Sequence, residues 1–142
     1  MKRLIYEKSV SYKGHLIVPF ILGRIGCETI YSYKLLSEKG YISPLHESDN
    51  LSGVCSNNLE DIIKIAQQNL DEKMISYLGL DHFRDRYIYQ NNMIILHHQN
   101  GKYFYDHYPP EQLKNIAAPK LFISANDCLS WIKEGLDQHK VG

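Results

Sequence analysis

From Lys2 to Tyr12 the apolar side chains Leu4, Tyr6, Val10 and Tyr12 share one parity, while Glu7, Ser9 and Ser11 take the other. Alternation with period two predicts a half-buried strand, because successive side chains of an extended backbone leave on opposite faces. Lys13-Gly14 reads as a turn. The apolar run over 15–22 then predicts a strand covered on both faces, and Pro19, which has no N–H to give a neighbour, places it at an edge or a bulge. Gly23 to Cys27 turns the chain into a third strand at 28–33. Lys34 to Lys39 fits either an extension of that strand or a helical turn stopped by Gly40.

Residues 43–57 hold most of the turn formers of the first half and predict an irregular connection with a short strand near Gly53-Val54-Cys55. A helix follows. Asn57 and Glu60 form a capping-box pattern, and Leu59, Ile62, Ile63, Ala66, Leu70 and Met74 recur at helical spacing up to a stop at Gly79. Three β-rich runs over 85–90, 93–99 and 102–108 are separated by Asn91-Asn92 and Asn100-Gly101, dipeptides that tolerate the positive φ of a type I′ turn. Pro109-Pro110 predicts a break and a short helix to about Ile116, and 120–124 a short strand. Ser124 and Asp127 cap a last helix with apolar positions Ala125, Cys128, Leu129, Ile132 and Leu136, and with His139 and Lys140 at its negative end.

These elements predict an α+β chain, 1–142 as one domain: a twisted antiparallel sheet of five to seven strands with two main helices on one face. The order in 1–79 resembles that in 80–142, so a duplicated β-β-β-α unit competes with a chance likeness of two meanders.

Sixteen Lys plus Arg balance sixteen Asp plus Glu, which disfavours a wrapped nucleic-acid binder needing many phosphate-neutralising cations. Hydrophobic content of 44% with 23% charged residues is globular and excludes a disordered tail. The longest apolar run, Leu16 to Leu22, is far short of the ~20 residues that span a bilayer. Glu7 interrupts any leader-like start, so a cytoplasmic protein is expected. Cys27, Cys55 and Cys128 fit neither a disulfide framework nor a CxxC motif and are expected to be reduced. Eleven tyrosines and seven histidines stand out.

Two-residue turns fix the meander register. They place Tyr103 opposite His98, Phe104 opposite His97, Tyr105 opposite Leu96, Asp106 opposite Ile95 and His107 opposite Ile94, with Arg86 opposite His97, Tyr87 opposite Leu96 and Tyr89 opposite Ile94. Tyr87, Tyr89, Ile94, Leu96, His98, Tyr103, Tyr105 and His107 then share one face. Arg86, Ile88, Met93, Ile95, His97, Lys102, Phe104 and Asp106 share the other. His97 thus points away from His98 and His107, and the latter two stand about 13 Å apart at ~3.4 Å per residue. One ion cannot collect them, so no metal or other cofactor is expected.

Arg86, His97 and Asp106 form the candidate ligand-binding cluster, because an imidazole oriented by a carboxylate beside a guanidinium can hold an anion or act as a base. A solvated ion pair on a sheet face is its competing explanation. His97, Asp106 and His107 are the candidate catalytic residues. The run Asp106-His107-Tyr108-Pro109-Pro110 resembles the strand end of HNH nucleases, whose Asp-His-x-x-Pro opens a metal-bound ββα motif. Asn126 and His139 follow in order, which implies a nuclease. The chain departs from that family in the 13-residue step from Asn126 to His139 and in lacking zinc-stabilising cysteine pairs. Cys27 has no local feature that would lower its pKa, and Gly23-x-x-Gly26 lacks the ending of a phosphate loop.

The expectation is a small cytosolic, non-catalytic binding or regulatory module that associates with itself or a protein partner through an edge strand or aromatic face. The alternatives are a His/Asp-dependent hydrolase or HNH-like nuclease, and a weak nucleic-acid-associated factor using Arg84, Arg86 and Lys102. A tyrosine platform for bases competes with ordinary core packing of those rings.

Overall fold

A computed structural model describes the backbone of residues 3–38, 55–73 and 81–141, and side chains up to residue 138. The chain is α+β and divides into two compact units, Met1–Arg84 and Asp85–Gly142. The first contains β1 (Val10–Tyr12), β2 (His15–Ile25), β3 (Glu28–Ser37) and α1 (Leu59–Lys73). The second contains β4 (Arg86–Tyr89), β5 (Asn92–Gln99), β6 (Lys102–Tyr108) and α2 (Ala125–Val141). Among the described residues there are two antiparallel sheets of three, ordered β1-β2-β3 and β4-β5-β6, in place of one sheet of five to seven strands. The physical reason is local. Two-residue turns pair consecutive strands, and each helix lays its apolar stripe on the sheet just before it.

In the first unit, Lys13 (φ 48°) and Gly14 (φ 76°) make the left-handed turn that pairs Tyr12 with His15. Its anchor is Asp71 on α1, which accepts a hydrogen bond from the Tyr12 hydroxyl (2.7 Å) and pairs with the Lys13 ammonium. Those two contacts, Lys13 first, hold the Asp71 carboxyl below its usual range. Residues 15–20 of β2 are buried throughout, as a strand shielded on both faces requires. Ile17, Tyr33 and Leu35 meet the α1 stripe of Ile62, Ala66 and Leu70, spaced by four. Fully burying each aliphatic side chain contributes about 1.5–3 kcal/mol.

Several expectations change here. Pro19 lies in the central strand, not on an edge: it pairs with Tyr33, and its carbonyl accepts from the Ile5 N–H (2.8 Å). In an antiparallel strand the N–H and C=O of one residue point to the same neighbour. The missing donor therefore faces the segment before β1, where the ladder has already ended. The bulge sits between Ile21 and Gly23. Tyr6–Lys8 form a 3₁₀ turn, so the N-terminal strand shortens to β1, with Leu4 bridging Phe20. Lys34 to Ser37 extend β3. Asn58, one residue after the expected cap, accepts the Asp61 N–H at the start of α1 (3.2 Å). The expected stop at Gly79 and the connection over 39–54 lie outside the described residues.

In the second unit, the Asn100-Gly101 turn and the β5–β6 register stand as the sequence predicts. The β4–β5 turn does not. Gln90 (φ 49°) and Asn91 (φ 63°) are its centre, Tyr89 pairs with Asn92, and Arg86 falls opposite Ile95 instead of His97. Moving a turn by one residue moves the partner by two, so every side chain keeps its face. Asn92 causes the shift: its side-chain NH2 donates to the Gln90 carbonyl (3.0 Å) and the Tyr89 carbonyl (3.3 Å), closing the turn from within β5. α2 starts on Ser124, whose Oγ accepts the Asp127 N–H (3.1 Å). Cys128 and Ile132 of α2, with Phe122, cover Ile94, Leu96 and Tyr105. The tyrosine-bearing face is thus the inner one at Tyr105, while Tyr87 at its edge is 42% exposed.

Residues 112–118 form no helix, and the expected strand at 120–124 reduces to one bridge between Tyr103 and Phe122. Instead this stretch returns along β6. Ile116 N–H donates to His107 O, and Phe122 and Tyr103 exchange both backbone bonds, each 2.8 Å. Among the described residues no helix is long and apolar enough to cross a membrane.

Candidate functional site

Adjacent β6 residues Asp106 and His107 serve opposite faces of the second sheet, because side chains alternate along a strand. On one face His97 Nε2–H donates to Asp106 Oδ2 (2.9 Å), across the diagonal that the register predicts. The imidazole also lies 5.0 Å from its cross-strand neighbour Phe104, centroid to centroid. The other carboxylate oxygen, Oδ1, accepts from Asn115 Nδ2 (2.8 Å). Asn115 Oδ1 in turn accepts the backbone N–H groups of His107 (2.9 Å) and Ala117 (3.0 Å). Both oxygens of Asp106 are therefore engaged, Oδ2 by His97 of β5 and Oδ1 by Asn115, which fastens the return segment to β6. The chain of contacts from His97 to Ala117 orients an imidazole and pins a loop.

Arg86 joins this face but not as a direct neighbour of His97. It and Asp106 flank Ile95 from the two outer strands, so the three candidate ligand-binding residues share a face, and His97 and Asp106 are joined at 2.9 Å. Lys102 pairs with Gln99, four residues along β5 from the Arg86 partner, a step of about 14 Å at ~3.4 Å per residue. Arg84 belongs to the first unit. Arg86 and Lys102 consequently form no continuous basic stripe across the second sheet.

His107 lies on the α2 side, apart from His97 and Asp106. Its Nε2 is 2.9 Å from Asn92 Oδ1, and burial lowers its pKa, favouring the neutral ring. The third histidine of the meander, His98, is exposed and stacks on Tyr103 at 4.2 Å with an interplanar angle of 5°. Asn126 lies in the first turn of α2, and 109–118 contain no helix, so β6 does not run directly into the helix of a ββα motif. The His139 side chain lies outside the described residues.

Nearby, Tyr105 packs against Phe122 and Trp131, at centroid separations of 6.4 and 6.3 Å. The Tyr105 oxygen accepts the Ala118 N–H (3.0 Å), and burial raises the phenol pKa. Lys120 places its ammonium 4.7 Å from the Trp131 ring centroid. Outward from this cluster, Ile116, Leu121, Ile123 and Trp131 are exposed at 52, 63, 74 and 40%.

The hydrophobic pattern alone did not single out Asn92, Asn115, Trp131 or Gly135. Asn92 carried a turn signal that describes its backbone and says nothing of its side chain. Gly135, alone inside a helical pattern, was the one visible irregularity. Compared with protein-family models, with curated proteins and with solved structures, the chain matches none.

Proposed function

We propose that this protein is a small cytoplasmic, non-catalytic binding module that pairs with a second copy of itself through β4. The observation that carries the reading is an asymmetry between the two edges of the second sheet. The outer edge of β6 is occupied by the return segment through Ile116 and Phe122. β4 is the opposite edge strand, and it exposes Tyr87 (42%) and Ile88 (39%), one on each face. An edge strand offers its backbone to another chain, and an antiparallel β4–β4 pair about a twofold axis continues the sheet. Sixteen positive and sixteen negative side chains leave no net repulsion between copies.

The engagement of Asp106 by both Asn115 and His97 supports a structural role for the cluster over acid–base catalysis. Sedimentation equilibrium over the micromolar range tests the proposal. A concentration-dependent dimer is expected, and Ile88→Lys is expected to shift it to monomer without changing the fold. A wild-type protein that stays monomeric throughout refutes self-pairing.

A further inference from the structure

The His107 imidazole opens on a groove to which neither the β4 pairing nor the Asp106 network assigns a use. Its tautomer follows from its neighbour. Asn92 turns its NH2 toward the carbonyls of Tyr89 and Gln90, so its oxygen faces His107. Nε2 of His107 must then carry the proton that it donates to Asn92 Oδ1 (2.9 Å). Nδ1 is left with a lone pair, and among the described residues it makes no hydrogen bond. Burial, which lowers the imidazole pKa, keeps that lone pair available at neutral pH.

The groove beside it has a volume of about 280 Å³, close to the lower limit of small-molecule sites. Ile116, Trp131 and Leu136 wall it, and no lining residue carries a full charge at neutral pH. Gly135 lines it from inside α2, and a Cβ built there meets nothing within 4 Å. A helix-interior glycine is unfavourable relative to alanine, and here no packing contact requires it. What its missing side chain does is leave the groove open. A charged ligand would lose its hydration against apolar walls with no counter-ion to replace it, whereas a neutral ring with one donor satisfies both the walls and Nδ1.

We propose that this groove binds a small neutral aromatic molecule of the phenol or indole class, its ring against Ile116 and Trp131 and its O–H or N–H donated to His107 Nδ1. The proposal does not depend on self-association, and a monomeric protein would leave it intact.

The test is an NMR titration of the full chain with p-cresol, and with 4-methylanisole as the analogue lacking the donor. Expected are saturable shifts at the Gly135 amide and at the side chain of Trp131, the chain's one tryptophan, with an upfield move of the His107 Nδ1 nitrogen. The loss of one hydrogen bond should weaken 4-methylanisole by roughly 2- to 10-fold. Gly135→Ala is expected to raise the urea midpoint yet weaken p-cresol, opposite signs that a merely structural glycine would not give. Gly135→Leu should abolish binding, and His107→Leu should equalise the two ligands. Absence of saturable shifts, equal affinities in the wild type, or unchanged p-cresol binding in a folded Gly135→Leu protein each overturns the proposal.

Discussion

Cys128 is fully buried on the inner face of α2, and desolvation pushes its thiol up to about 11, while Cys27 and Cys55 are exposed. The thiolate is the nucleophile, so iodoacetamide in mildly alkaline solution should modify Cys27 and Cys55 in the folded protein. Cys128 should react only after urea is added, a difference that peptide mass spectrometry reads directly. His107 gives a second expectation at this scale. At alkaline pH its ring is neutral in both folded and unfolded chains, so it adds no pH dependence. Below the ordinary value of 6.5 the unfolded chain takes up the proton first, because burial lowers the folded value. Stability should therefore fall as pH drops from 6.5 to the folded pKa and then level off. Urea unfolding should show a smaller loss over this window in His107→Gln than in the wild type. The Asn115 side chain makes three hydrogen bonds, to Asp106, His107 and Ala117. Asn115→Ala is expected to cost roughly 1–2 kcal/mol, seen as a lower urea midpoint, since net hydrogen bonds contribute ~0.5–1.5 kcal/mol each and these are partly exposed.

The elements form where local rules agree with packing. α2 has a Ser124 cap and an apolar stripe that lands on Ile94, Leu96 and Tyr105, so it begins where the sequence predicts. Ser124→Ala should destabilise the second unit by about 1 kcal/mol, measurable as a shift in urea midpoint at unchanged slope. The β5–β6 hairpin was likewise legible, because Asn100-Gly101 admits one turn and that turn admits one register. The β4–β5 hairpin was legible only as to its faces. Three consecutive candidates, Gln90, Asn91 and Asn92, can occupy a tight turn, and the choice falls to the Asn92 side chain and to the hydrogen bond between Gln90 and Asp137 of α2 (2.6 Å). Propensity disfavours glutamine at positive φ, and a contact 47 residues away offsets that cost. The short helix after Pro110 failed for a related reason: the Ile116 N–H finds its partner on β6, a bond that a helix would have withdrawn.

At the scale of the molecule, neutrality and edge protection govern what the protein can meet. Pairing through β4 would rest on backbone hydrogen bonds and the apolar side chains Tyr87 and Ile88, with sixteen charges of each sign cancelling overall. The dimer expected in sedimentation should accordingly survive high salt, whereas an assembly held by complementary charge would dissociate. Local sequence determined the β-β-β-α order, the two faces of the second meander, the α2 cap and the diagonal contact of His97 with Asp106, because alternation, turn chemistry and capping act over a few residues. Only the tertiary structure decided that Pro19 sits in a central strand, that Asn115 occupies Asp106, and that Asn92 fixes the His107 proton beside an open groove. Those outcomes depend on which distant backbone and side-chain groups satisfy one another, and no spacing along the chain encodes that partnership.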